Sequence, residues 1–199
     1  MKLILFIIAI FFVLCFFKGP AHGEPRRITV QPVIVNLSGD LDVEAVKLMY
    51  AQAAELLSPT IRVVFEEPIE VFAYCPIGED RDLNTSWHAA LCPSFASPGR
   101  ILMVLDPRSY TIGTIRGTCV LERECPTIVV QFNPADLLEA AIATAHEIGH
   151  GGGATHDPSC SLMSSRALVC GKRGTRLSSR SKAQIRACFR RSARAEVRR

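Results

Sequence analysis

The sequence predicts an α+β, sandwich-like fold on three observations: short β-branched runs bounded by turns, stretches of helical apolar periodicity between and after them, and a length that suits one core. Residues 28–36 read as the first strand, with Pro32 suggesting an edge or a bulge. Ser38, Gly39 and Asp40 then turn the chain. Over residues 41–57 the apolar positions Val46, Met49, Tyr50, Ala53, Leu56 and Leu57 recur at helical spacing behind Asp40 as the expected cap, and Ser58-Pro59 ends the pattern. Residues 61–72 read as a strand, or a strand pair broken at Pro68, and residues 101–105 as a short buried strand. Between them, residues 75–100 are polar, rich in proline and marked by Cys75 and Cys92, the pattern of a stapled surface loop. Residues 110–116 and 127–132 suit two further strands around a charged tip at Glu122, Arg123 and Glu124. Asn133 and Pro134 supply a cap and a first-turn proline for a helix to Gly151, with Leu138, Ala141, Ile142 and Ala145 on one face. A last helix over residues 179–193 places Ile185, Cys188 and Phe189 on an apolar stripe that docks while its arginines stay wet.

The first residues concern compartment. Met1-Lys2 precedes an almost unbroken apolar run from Leu3 to Phe17, and small residues follow up to Gly23. That layout is expected of a signal peptide over residues 1–23, cleaved so that a single domain of residues 24–199 remains. The run is shorter than the roughly 20 residues that span a bilayer comfortably. Cys15 leaves with the signal, and the seven remaining cysteines read as disulfides sooner than as metal ligands in an exported chain. Cys75 with Cys92, Cys119 with Cys125, and Cys160 with Cys170 or Cys188 are the short-range pairings, and spacing does not choose among the alternatives. One thiol is left over. No cysteine precedes the first strand after Gly23, so latency through an N-terminal cysteine is not expected.

Charge is divided unevenly along the chain. Residues 24–165 carry 9 Lys/Arg against 18 Asp/Glu, whereas residues 166–199 carry 12 against 1. The basic segment, with its helix and tail at 179–199, suits either contact with an anionic surface through residues 166–199 or a solvated helix face that complements the acidic body. No nucleic-acid motif accompanies the charge, and no nucleic-acid partner is expected.

The chemistry concentrates in residues 146–156, which hold three of the four histidines that follow Gly23. On a helix, residues four apart share a face, so His146 and His150 present two imidazoles to one metal ion with Glu147 beside them. A catalytic zinc takes three protein ligands, which requires the chain to turn back. Gly151, Gly152 and Gly153 tolerate the turn, and His156 follows after only Ala154-Thr155. A carboxylate next to a ligand is placed to accept a proton from a water that zinc has acidified to a pKa of about 7.

His146, Glu147, His150, Gly153 and His156 match the signature H-E-x-x-H-x-x-G-x-x-H at every fixed position, and in this stretch the chain resembles the metzincin metallopeptidases. A chance match in a chain of this length is expected on the order of once in 100,000. Ser161-Leu162-Met163-Ser164 is similar to the family's methionine turn, and Asp157 after the third histidine is similar to the adamalysin (reprolysin) branch, where it braces that turn. Seven positions from His156 to Met163 make a shorter link than that branch has, and Ser165 stands where an astacin-like tyrosine would be. Direct matching covers residues 146–163. The resemblance implies a metzincin-type catalytic domain: a twisted, mostly parallel sheet, an active-site helix and a C-terminal helix. It further implies one catalytic Zn2+ on His146, His150 and His156, Glu147 as the general base that later hands its proton to the leaving amine, and Met163 as a structural residue.

The function so implied is that of a secreted zinc-dependent endopeptidase acting on a protein or peptide substrate. In metzincins the segment after the turn methionine walls the pocket for the residue following the scissile bond; here it begins Ser164, Ser165, Arg166, and Arg166 is expected to narrow or charge that pocket. Residues 113–117 are the expected edge for an extended substrate. Two other functions fit parts of the sequence: an inactive zinc-containing binding module, and an anionic-surface binder that relies on its basic C-terminal tail. Retention of Glu147 weighs against the first.

Overall fold

Five strands build one parallel sheet in the order β2-β1-β4-β5, with β3 also on β1. They are β1 (Arg27–Val35), β2 (Arg62–Phe65), β3 (Ile69–Val71), β4 (Arg100–Leu105) and β5 (Thr127–Val130). Four helices accompany them: α1 (Val43–Leu57), α2 (Leu83–Phe95), α3 (Leu137–Gly151) and α4 (Ser179–Glu196). The structure, a computed structural model, describes residues 27–58, 60–74, 83–95, 97, 99–106, 119, 125–130, 135–164 and 174–196. The expected signal peptide, the strand at 110–116, the substrate edge at 113–117, the tip at 122–124, Asn133 and Pro134 lie outside the described residues, as do Ser165 and Arg166. Among the described residues no helix is long and apolar enough to cross a membrane.

The period-2 alternation of the strands divides the apolar side chains between two cores. Ile28, Val30 and Ile34 of β1, Ile101, Met103 and Leu105 of β4, and Ile128 and Val130 of β5 join the main core with α1, α3 and α4. Val33, Val35, Val104 and Val129 point the other way and meet Trp87 of α2. A parallel sheet covered on both faces explains why β1 and β4 are near-continuous apolar runs.

Pro32 does not mark an edge, because β1 lies inside the sheet. Its tolerance has a local cause. Val30 accepts from Glu66 and Asn36 donates to Val71, so the even-numbered residues of β1 direct their backbone groups toward β2 and β3. Pro32 therefore faces the gap between those two strands, beyond the Glu66 bond to Val30 and before Ile69 resumes the pairing, where no N–H is required. Gln31 closes the same gap by donating its side-chain amide to the Glu67 carbonyl at 2.8 Å. The strand pair broken at Pro68 is thus realised as β2 and β3.

Both N-caps sit closer to their helices than expected. Asp42, not Asp40, caps α1, its Oδ1 accepting from the backbone of Glu44 and Ala45 at 3.0 and 3.1 Å. Asp136 caps α3 by accepting from Glu139 at 3.0 Å. Leu138, expected on the apolar face, is 55% exposed because it falls in the first turn, before the helix enters the core. From Ala140 to Gly151 every residue of α3 is buried, and α1 packs along it.

The segment read as a stapled loop holds α2. Its apolar positions lack a clear helical stripe and it contains Pro93, which hid the helix from the sequence reading. Trp87 anchors it, 3% exposed, with its indole N–H donating to Asp106 Oδ2 at 2.8 Å. The pairings Cys75 with Cys92 and Cys119 with Cys125 are corrected: Cys92 bonds Cys125 and Cys119 bonds Cys188. These bridges span 33 and 69 residues, distances that spacing arguments disfavour and that only the folded chain brings together. Cys160 is disulfide-bonded as well, and not to Cys188. Cys75 and Cys170 lie outside the described residues.

Candidate metal centre

Helix α3 presents His146 and His150 one turn apart, both buried, at 1% and 5% exposure. Each ring is locked by its second nitrogen. His146 Nδ1 lies 2.7 Å from the Leu162 carbonyl and His150 Nδ1 lies 2.7 Å from the Ala154 carbonyl. A carbonyl oxygen only accepts, so each Nδ1 carries the proton, and in the neutral ring each Nε2 keeps a bare lone pair. The two Nε2 atoms are 3.1 Å apart. Two neutral rings have no proton to share there, and a cation held by both lone pairs makes such an approach favourable.

The chain then reverses through a glycine turn. Gly153 donates to the His150 carbonyl at 2.9 Å and Ala154 to the Gly149 carbonyl at 3.0 Å, with Gly153 at φ +87°. This is a Schellman ending, and its left-handed residue must do without a Cβ. A side chain at Gly153 would also meet Cys188 Cβ at 3.0 Å, so the turn rests on the Cys119–Cys188 disulfide of α4. The reversal delivers His156, whose ring centroid lies 5.3 Å from that of His146 and 4.7 Å from that of His150. One ring nitrogen from each histidine lies within 4.8 Å of the other two. Glu147 is 3% exposed and its Oε1 stands 3.8 Å from His146 Nε2.

The segment beyond His156 folds back beneath the histidines. Asp157 donates its N–H to the Met163 carbonyl at 2.9 Å and bridges to Ser164. Met163 is fully buried against α3 at Gly149, where an added Cβ would approach its sulfur to 2.5 Å and force the methionine to shift. The Asp157 carboxylate accepts from the Ser159 N–H at 2.8 Å and from the Ser178 hydroxyl. Hydrogen bonds from Ser159 and Ser178 hold its pKa down at about 2, with the charge of Arg180 adding to the effect. Ser164 is buried beside Met163.

Three supports of this centre were missed in the sequence. Gln184 of α4 grips Thr155 twice, its Oε1 accepting from the Thr155 N–H at 3.1 Å and its Nε2 donating to the Thr155 hydroxyl at 2.8 Å. Ser178 holds Asp157, and the Cys119–Cys188 bridge backs Gly153. All three come from segments distant in sequence and carry no local pattern. His88, given no role from sequence, gathers with Cys92 and Cys125 into a second set of metal-ligating types. The two sulfurs there are joined to each other and are not thiolate ligands.

The donors of the first set fit zinc: three imidazoles that each offer one ring nitrogen, two of them oriented by carbonyls, and a carboxylate alongside. No family model matches the chain, and no curated protein matches it in sequence. Solved structures do match. Archaemetzincin from Methanopyrus kandleri is similar over 86% of this chain and 99% of that one, with a TM-score of 0.52 at 13% identity. The fold is therefore metallopeptidase-like, an α+β arrangement with a parallel sheet, and the likeness gives no support to the adamalysin (reprolysin) branch that Asp157 suggested.

Proposed function

We propose that this chain is a secreted zinc-dependent endopeptidase, with residues 1–23 as a cleaved signal peptide and residues 24–199 as its single catalytic domain. The observation that carries the reading is the convergence of His146, His150 and His156 beside buried Glu147, with the first two rings already oriented. Its likeness in fold to an archaemetzincin supports the same reading.

Zinc bound at the three histidines supplies a Lewis acid that polarises a peptide carbonyl and makes water acidic near neutral pH. The remaining work belongs to the protein. The carbonyls of Leu162 and Ala154 fix the tautomers of His146 and His150, so that neither ring must turn or lose a proton when metal arrives. Glu147, held on the same helix, accepts the proton of the attacking water and returns it to the amine nitrogen as the C–N bond breaks. Its burial keeps bulk water from competing. Met163 and Asp157 hold the floor and the return segment, acting through structure alone. The substrate is a protein or peptide; of the residues expected at the pocket beyond the scissile bond, Ser164 is buried and offers it no surface, which leaves the role to Ser165 and Arg166.

Replacement of Glu147 by Ala tests the assignment. Hydrolysis of a mixed peptide library by residues 24–199 should fall about 10²- to 10⁴-fold, while one zinc per chain is retained. Undiminished cleavage would remove the assigned role. A folded, zinc-loaded parent that cleaves nothing in the library would instead favour a binding module.

A further inference from the structure

Helix α4 carries five arginines and a lysine against one glutamate, and its fold separates two faces. Ser181, Ile185, Cys188 and Phe189 are buried toward the core. Opposite them lie exposed Arg180, Arg186, Arg190, Arg191 and Arg194, with only Ala183 and Ala187 between the early and late members. Lys182, Arg186, Arg190 and Arg194 stand four apart, a row of cations about 18 Å long at about 1.5 Å per residue.

Among the described residues no carboxylate pairs with the arginines of this row. Among the same residues Lys47 and Arg100 form ion pairs, whereas Arg186, Arg190 and Arg194 form none. The arrangement also opposes helix physics. Like charges four apart repel, and Arg180 and Lys182 occupy the first turn, where the helix dipole disfavours cations and where the Asp157 carboxylate lends Arg180 an opposing charge. A bound polyanion relieves both penalties at once.

We propose that α4 is a docking face for a linear sulfated polysaccharide. Arginine predominates over lysine, and its planar fork matches the paired oxygens of a sulfate. The apolar stripe of α4 is occupied by the core, so the helix has nothing to insert into a bilayer. Phe189 is buried, and α4 exposes no ring on which a base would stack. Gln184 of the same helix holds Thr155 next to His156, so a chain bound along α4 would run beside the metal centre and gather substrates that travel with it.

The test is a titration of a labelled heparin fragment, a sulfated polysaccharide, with residues 24–199 at several salt concentrations. Replacing Arg186, Arg190 and Arg194 together by Gln should weaken binding at least tenfold at about 0.1 M salt and lower the log–log salt slope by about two to three. Replacing exposed Arg27 and Arg62 by Gln should change it less than twofold. Lysine at the same three positions keeps the charge and the fold; it should preserve the salt slope while losing several-fold in affinity. Binding unchanged in the Gln variant overturns the proposal, as does tighter binding of duplex DNA or anionic vesicles at matched charge. Chelated protein should bind heparin equally well, which separates this result from the fate of the peptidase reading.

Discussion

The inner and outer halves of the metal centre are built differently. His146, Glu147 and His150 belong to one buried helix, and their spacing follows from helical geometry. His156 is exposed and stands on a turn whose position depends on Gln184, Ser178 and a disulfide, all reached from α4 or beyond. The comparison teaches that two ligands can be specified locally while a third needs the tertiary structure. It also predicts that the two halves respond differently to damage.

The largest contrast should come from the histidines. His150→Ala removes a buried ring and strands the Ala154 carbonyl, so the metal-free protein should lose about 2–4 kcal/mol as well as its zinc. His156→Ala should abolish tight zinc binding and leave metal-free stability within about 0.5 kcal/mol, since the side chain is exposed. Thermal unfolding of both chelated variants checks the pair; equal losses would break the distinction.

A smaller effect is expected at Asp157. Its pKa is depressed to about 2 in the folded state, so the stability it contributes is present above the ordinary carboxylate pKa of about 3.9 and disappears as pH falls toward 2. Asp157→Asn should therefore cost about 1.5–3 kcal/mol at neutral pH, and the gap from the parent should close near pH 2. A gap independent of pH would mean that the carboxylate charge is not what holds the turn.

The smallest effect should come from Gln184→Ala. Loss of two exposed hydrogen bonds should cost about 1 kcal/mol or less in stability. Competition with a chelator should show several-fold weaker zinc binding, since His156 is then less well placed. Gln184→Glu keeps an acceptor for the Thr155 N–H and another for its hydroxyl, and should recover most of the affinity.

The legibility of the fold followed the same division. β1, α1, the broken β2–β3 pair, β4, β5, α3 and α4 could be located from periodicity, because each exposes its burial pattern in its own residues. Helix α2 could not, since its burial hangs largely on Trp87 meeting Asp106 and its stripe is weak. Pro32 was misread because the reason for its tolerance, the gap between β2 and β3, lies on another strand. Cys92, Cys119, Cys125 and Cys188 pair otherwise than expected because nearness along the chain says little about which sulfurs meet after folding.

By itself, then, the sequence determined the two histidines and glutamate on one helical face, the glycine reversal and the arrival of a third histidine, since helix pitch and glycine's freedom at positive φ are local properties. Only the tertiary structure decided which carbonyls orient the rings, which sulfurs join, and that Gln184 and Ser178 secure the return segment. Those contacts join residues far apart in the chain, and their partners are chosen by how the helices pack on the sheet.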